Sequence, residues 1–235
     1  MSQFGIPLGD RLRLHLNRWK RFTRNPTVLS LIRDGLKLSF IADPTSLKKR
    51  AVLLKCKPEF QEMLIKQLNK FLQQKIIEVD LKTDEGFTSL FFPIPKKDPA
   101  KLRWILDLRG LNSVVKKKGY KMETINTIRQ MILKDDWMVS IDIQDAFYHV
   151  LIHRKHRKFL TFTAINNLGR KTVYRFRTLP MGLTNSPWAL SRIIGEIIRK
   201  LRSKDLRLSY FADDLILMAK TKEECQENLK LLVEK

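Results

Sequence analysis

Apolar and polar positions along this chain switch between two periods, and the switches mark out its elements. After Lys57-Pro58, Phe60, Met63, Leu64, Leu68, Phe71 and Leu72 recur at spacings of three and four, which predicts a helix. Ile125, Ile128, Met131 and Ile132 predict a second helix over 122–133. A third begins at Pro187 and carries Trp188, Ile193, Ile194, Ile197, Ile198 and Leu201. A last one starts near Lys222 with Cys225, Leu229, Leu232 and Val233. Asn25-Pro26-Thr27 reads as a helix start, with Val28, Leu29 and Ile32 as its apolar side and Gly35 as its stop. Strands are predicted at 36–41, 76–79, 91–95, 104–106 and 137–142, and across a turn at 166–169 for 159–163 with 172–176. Residues 209–218 hold two short apolar runs around Asp213-Asp214, which predicts a β-hairpin with the acids in its tight turn.

Composition narrows the partners. The 235 residues are 43% hydrophobic and 30% charged, enough to bury a core in one or two domains. Lys and Arg total 46 against 24 Asp and Glu, a net charge of +22. Such an excess points to a polyanion, most often nucleic acid. An anionic membrane surface is the rival, disfavoured because the basic residues are scattered over many segments. No apolar run approaches a membrane span and the first residues lack a secretory core. Cys56 and Cys225, the only cysteines, make no disulfide or zinc pattern. The expected location is intracellular, in cytoplasm or nucleus.

Candidate chemistry centres on the acids. Asp142 ends one apolar strand and Asp213-Asp214 sit between two others; if these strands share a sheet, three carboxylates converge. Crowded like charges lose solvation and repel unless cations hold them. Two Mg²⁺ ions, with Mn²⁺ as a substitute, would activate a hydroxyl and neutralise a triphosphate there. The bland alternative is a solvated Asp-Asp turn. The loop 96–101 (Lys-Lys-Asp-Pro-Ala-Lys) is cationic and turn-forming, suited to phosphates or simply a charged hairpin tip. Lys48-Lys49-Arg50 reads as a solvated loop able to touch phosphates. His149, His153 and His156 cluster without a Cys or carboxylate to complete a ligand set, so they are read as surface or phosphate-facing residues.

Several motifs stand in a familiar order. Residues 140–147 (Ser-Ile-Asp-Ile-Gln-Asp-Ala-Phe), 179–182 (Leu-Pro-Met-Gly) and 211–214 (Phe-Ala-Asp-Asp) resemble those of reverse transcriptases. Pro95-Lys96-Lys97 through Arg103, and 106–112, resemble the fingers motifs of the retroviral and LTR-element enzymes. Residues 86–89, 121–125 and 25–29 make the chain most similar to DIRS-type, tyrosine-recombinase retrotransposons. The resemblance implies an α+β right-hand polymerase with palm and fingers, an antiparallel palm sheet with packed helices, and RNA-directed DNA synthesis on a primer. Template RNA or DNA, a primer strand and dNTPs are the implied partners. Asp142 and Asp213 would be metal ligands, Asp214 the third acid, and the Ile143 carbonyl a backbone ligand. Lys96 and Arg103 would hold the triphosphate. Phe147 would exclude a 2′-hydroxyl, its bland role being core packing. Met181 and Gly182 would line the nucleotide pocket, and Asp145 and Ala146 would support the triphosphate site.

The implied layout is an N-terminal extension at 1–58, fingers at 59–118 and 150–183, and palm at 119–149 and 184–235, with no thumb sequence following. Phe211 stands where Tyr is commoner, and Met181 where many relatives have Gln or Phe. Three rivals remain: a non-catalytic nucleic-acid-binding remnant of the fold, an RNA-dependent RNA polymerase, against which Phe147 argues, and a ribosomal-type basic protein, for which the acids have no use.

Overall fold

The structure is a computed structural model, and it describes residues 5–47, 58–81, 86–95 and 102–233. The two basic loops singled out above, 48–50 and 96–101, lie outside the described residues. The helices are α1 (Leu8–Leu14), α2 (Leu16–Phe22), α3 (Pro26–Asp34), α4 (Pro58–Gln73), α5 (Arg109–Val114), α6 (Ile125–Met131), α7 (Ser186–Arg202) and α8 (Lys222–Val233). The strands are β1 (Ile77–Val79), β2 (Phe91–Pro95), β3 (Leu102–Leu106), β4 (Trp137–Asp142), β5 (Thr161–Ile165), β6 (Lys171–Phe176), β7 (Arg207–Phe211) and β8 (Asp214–Ala219). The chain divides into two compact units, each built from two stretches: 1–117 with 147–186, and 118–146 with 187–235.

In the first unit β1, β6 and β5 form an antiparallel sheet in that order, and β2 pairs with β3. Its centre is aromatic. Phe91 stacks on Phe162 at 4.2 Å and on Trp104 at 5.6 Å, while Phe71 meets Tyr148 edge-on at 5.3 Å. Phe162 is fully buried, a position where truncation to Ala typically costs about 3–5 kcal/mol. The N-terminal helices dock onto the end of α4. Gly9 donates its N–H to the Gln74 carbonyl at 3.0 Å, and a Cβ there would stand 2.1 Å from the Lys75 carbonyl oxygen, so only glycine fits. Beside it the buried Asp10 accepts from Lys75 at 2.8 Å and Arg177 at 3.0 Å.

The second unit is a three-stranded antiparallel sheet, β4-β8-β7, with α8 packed against β8 and β4. Leu208, Leu217, Met218 and Cys225 are buried in it. The hydroxyl of Tyr210 on β7 approaches α7 closely enough that a Cβ at Gly195 would lie 3.1 Å from it.

Three expectations change. The alternating segment 36–41 is not a strand; it makes isolated bridges at Leu36 to Ile152 and at Phe40 to Val115. Helices α1 and α2 form at 8–22, where no element was predicted. The helix expected over 122–133 is shortened to α6, because Thr124 caps it in a reciprocal box with Thr127 and Ile132 turns extended. The three histidines, expected at the surface or facing phosphates, are half-buried. The half-buried His156 accepts the Leu38 N–H on Nδ1 at 2.8 Å, which requires the neutral ring. Burial first, and neighbouring His153 and lysines next, hold its pKa below the ordinary histidine value.

Candidate active site

The second unit brings the acids to one end of its sheet. In the β4–β8 register Asp142 lies directly opposite Asp214, and Asp214 also faces Phe211 across the β7–β8 hairpin. The hairpin turn is Ala212-Asp213, so only one of the two adjacent acids is a turn residue; Asp214 opens β8. One residue beyond β4, the Ile143 N–H donates to the Asp213 carbonyl at 3.0 Å. That bond ties the chain leaving β4 to the hairpin tip. The Ile143 carbonyl accepts from the Ala146 N–H at 3.2 Å, closing a turn in which Asp145 has φ 55°. A carbonyl has two lone pairs, so this bond leaves one for a ligand.

Two details differ from expectation. The acids are not buried: Asp142 and Asp214 are exposed and Asp213 half-buried. Among the described residues no three His, Cys, Asp or Glu side chains stand close enough to hold one ion as they are. Asp213 belongs to a turn and Asp214 to a strand, so adjacency in sequence does not put both on one face. What remains is two carboxylates directly opposite, a pairing in which Cβ atoms stand about 4.5–5.5 Å apart and like charges repel. Among the described residues neither these acids nor Asp145 has an ion-pair partner, although the chain carries 46 Lys and Arg. By contrast Asp10, Glu78, Asp80, Glu123, Asp136 and Glu196 are all paired with arginine or lysine. The donor set is all oxygen and fits hard Mg²⁺, which commonly takes one or two protein carboxylates and fills its shell with water and phosphate.

The remaining expected site residues belong to the first unit. Arg103 is exposed on β3, opposite Ile94, and among the described residues has no ion-pair partner. Phe147 is half-buried and its carbonyl accepts from Val150. Met181 is half-buried and Gly182 exposed at φ 90°. Lys96 lies outside the described residues.

Two positions that residue reading assigned no role turn out to hold these pieces in place. Glu123 accepts both guanidinium nitrogens of Arg202 (2.7 and 2.9 Å), the Ser209 hydroxyl and the Tyr210 N–H, so it clamps β7 just before the hairpin. Burial opposes its ionisation, but the Arg202 and Ser209 hydrogen bonds prevail and hold its pKa below the ordinary Glu value. In the first unit Asn112 donates to the Gly182 carbonyl at 2.8 Å and accepts from the Thr184 N–H at 3.0 Å, pinning the loop that carries Met181. The only sequence signal for either was membership of a motif quoted for resemblance.

A family model described as "Reverse transcriptase (RNA-dependent DNA polymerase)" matches residues 94–235, more than half of the chain. The chain belongs to the reverse transcriptase family. Its fold is therefore an α+β polymerase palm and fingers. The Gag-Pol polyprotein of bovine immunodeficiency virus (strain R29) is 27% identical over 138 residues, covering 57% of this chain. The chain spans 9% of that polyprotein's length. The stretch matched by the family model includes all three acids.

Proposed function

We propose that this chain is the RNA-directed DNA polymerase domain of a retroelement, adding dNTPs to a primer 3′-hydroxyl along an RNA or DNA template. The observation that carries it is the pair Asp142 and Asp214, face to face beside Asp213 and without ion-pair partners among the described residues of a strongly basic chain. In this reading Asp142, Asp213 and the Ile143 carbonyl hold the metals, with Asp214 completing the acidic set. Two Mg²⁺ ions, when bound, favour the primer alkoxide and neutralise the triphosphate. Lys96 and the exposed Arg103 grip the triphosphate. Asp145 and Ala146 shape the turn beneath it, Phe147 excludes the 2′-hydroxyl, and Met181 and Gly182 line the base-pair side. The first unit corresponds to fingers with an N-terminal extension and the second to palm. Assignment to the DIRS-type group is supported by the motif resemblance at 25–29, 86–89 and 121–125.

Primer extension tests the reading. Mg²⁺-dependent dNTP addition by the purified chain is expected, with loss of at least about a hundredfold in Asp213→Asn. Template binding with no extension at any Mg²⁺ or Mn²⁺ concentration would instead establish the non-catalytic remnant.

A further inference from the structure

A cleft of about 420 Å³ in the first unit is lined by six arginines: Arg13, Arg33, Arg154, Arg157, Arg175 and Arg177. They come from α1, α3, the 3-10 turn Arg154–Phe159, β6 and the residue just after it, so they surround one space and do not form a linear track. Only two carboxylates share the wall, and both are engaged. Asp34 is held by Arg33 at 2.7 Å, and Glu78 by Arg175 at 2.6 Å and Arg157 at 3.2 Å. Arg177 donates to the buried Asp10 at 3.0 Å and reaches Glu78 only at 3.6 Å, and its Nε is buried with no hydrogen-bond partner among the described residues. The buried Nδ1 of His153, also in the wall, lacks a partner in the same way. Arg154 is exposed and has no ion-pair partner among the described residues. Guanidinium groups present paired N–H donors matched to phosphate oxygens, and among the described residues the six here outnumber the four acids they pair with, Asp34 and Glu78 in the wall and Asp10 and Asp80 outside it. Its volume falls in the range of small-molecule sites, about 300–1,000 Å³.

We infer that this cleft is a binding site for a compact oligophosphate, a small molecule bearing several adjacent phosphate groups. The site uses none of the residues assigned to polymerisation. A nucleic-acid backbone offers the same chemistry one phosphate at a time along a strand, whereas six guanidiniums around one concavity suit clustered charge.

The test is calorimetric titration of the full chain with inorganic tripolyphosphate, at physiological salt and without divalent ions, so that polymerase chemistry does not enter. Saturable one-to-one binding is expected, weakened about tenfold or more in Arg13→Gln/Arg154→Gln. Neither residue supports the core, and Arg154→Gln alone serves should the double variant unfold. Lys204→Gln, in the second unit, removes equal charge elsewhere and should leave the affinity unchanged. Absence of saturable binding, or equal weakening by Lys204→Gln, overturns the site. Displacement of tripolyphosphate by a short oligothymidylate, itself weakened by the double variant, would overturn the compact ligand in favour of a strand.

Discussion

Ala212 carries φ 56° in the hairpin turn beside Asp213, a left-handed conformation that glycine adopts freely and alanine does not. The left-handed region costs an L-residue about 1–2 kcal/mol, while glycine's extra loss of chain entropy is about 0.5–1 kcal/mol. Ala212→Gly should therefore raise stability slightly, by several tenths of a kcal/mol, read as a higher urea midpoint at unchanged slope. An unchanged or lower midpoint would show that the turn relaxes its strain elsewhere. Strain of this kind gathers at functional sites, and Asp145 at φ 55° is its neighbour in role. Neither was legible in the residues: alanine disfavours positive φ, and aspartate adopts it more readily than most residues but in few of its positions. The half-buried Phe147 is the other residue with a decisive test. If its ring excludes the 2′-hydroxyl, Phe147→Val should raise ribonucleotide incorporation relative to dNTPs by about tenfold or more, whereas a packing role would lower both rates together.

Among the elements, hairpins and amphipathic helices were legible because their apolar period reports which side is buried, and the acidic hairpin followed from that alone. The segment 36–41 misled for the same reason. Leu36 and Leu38 are buried and Lys37 and Ser39 exposed, a true alternation, but the backbone bonds go to Leu151, His153, His156, Val114 and Lys116 in turn. Period reports faces; it does not report whether one partner strand receives the ladder. The clamp on β7 was illegible because Glu123 and Arg202 are 79 residues apart. It predicts a pH effect whose sign follows from Glu123 being held below its ordinary value. A depressed carboxyl contributes its full stability above the unfolded value near 4.5. That stability is lost as pH falls through the folded value. Glu123→Gln should lower stability at neutral pH by about 2–3 kcal/mol, because Arg202 and Ser209 lose a charged acceptor. It should also flatten the acid limb of the stability curve measured by urea unfolding from pH 6 to 3. A parallel acid limb in the variant would place the titration in other groups, Asp10 foremost.

For the molecule as a whole, charge sets the behaviour that precedes any chemistry. The +22 excess makes electrostatic attraction to a phosphate backbone the dominant sequence-independent term, and each phosphate neutralised releases counterions. Affinity for a primer–template duplex should fall linearly on a log–log scale with salt, and six such contacts would lose about a thousandfold between 50 and 200 mM. Fluorescence anisotropy across that range gives the slope. The acids give this measurement its internal control. Without divalent ions Asp142 and Asp214 repel phosphate, so Asp142→Asn should tighten binding modestly and leave the slope alone; with Mg²⁺ the same change should weaken it. That reversal requires the carboxylates to hold cations against the backbone, and a solvated acidic turn would give the same sign under both conditions. A salt slope near zero would place affinity outside the basic surface altogether. Anionic vesicles supply the remaining contrast: the basic residues are scattered over many segments and not gathered on one amphipathic helix, and duplex should outcompete vesicles at equal phosphate.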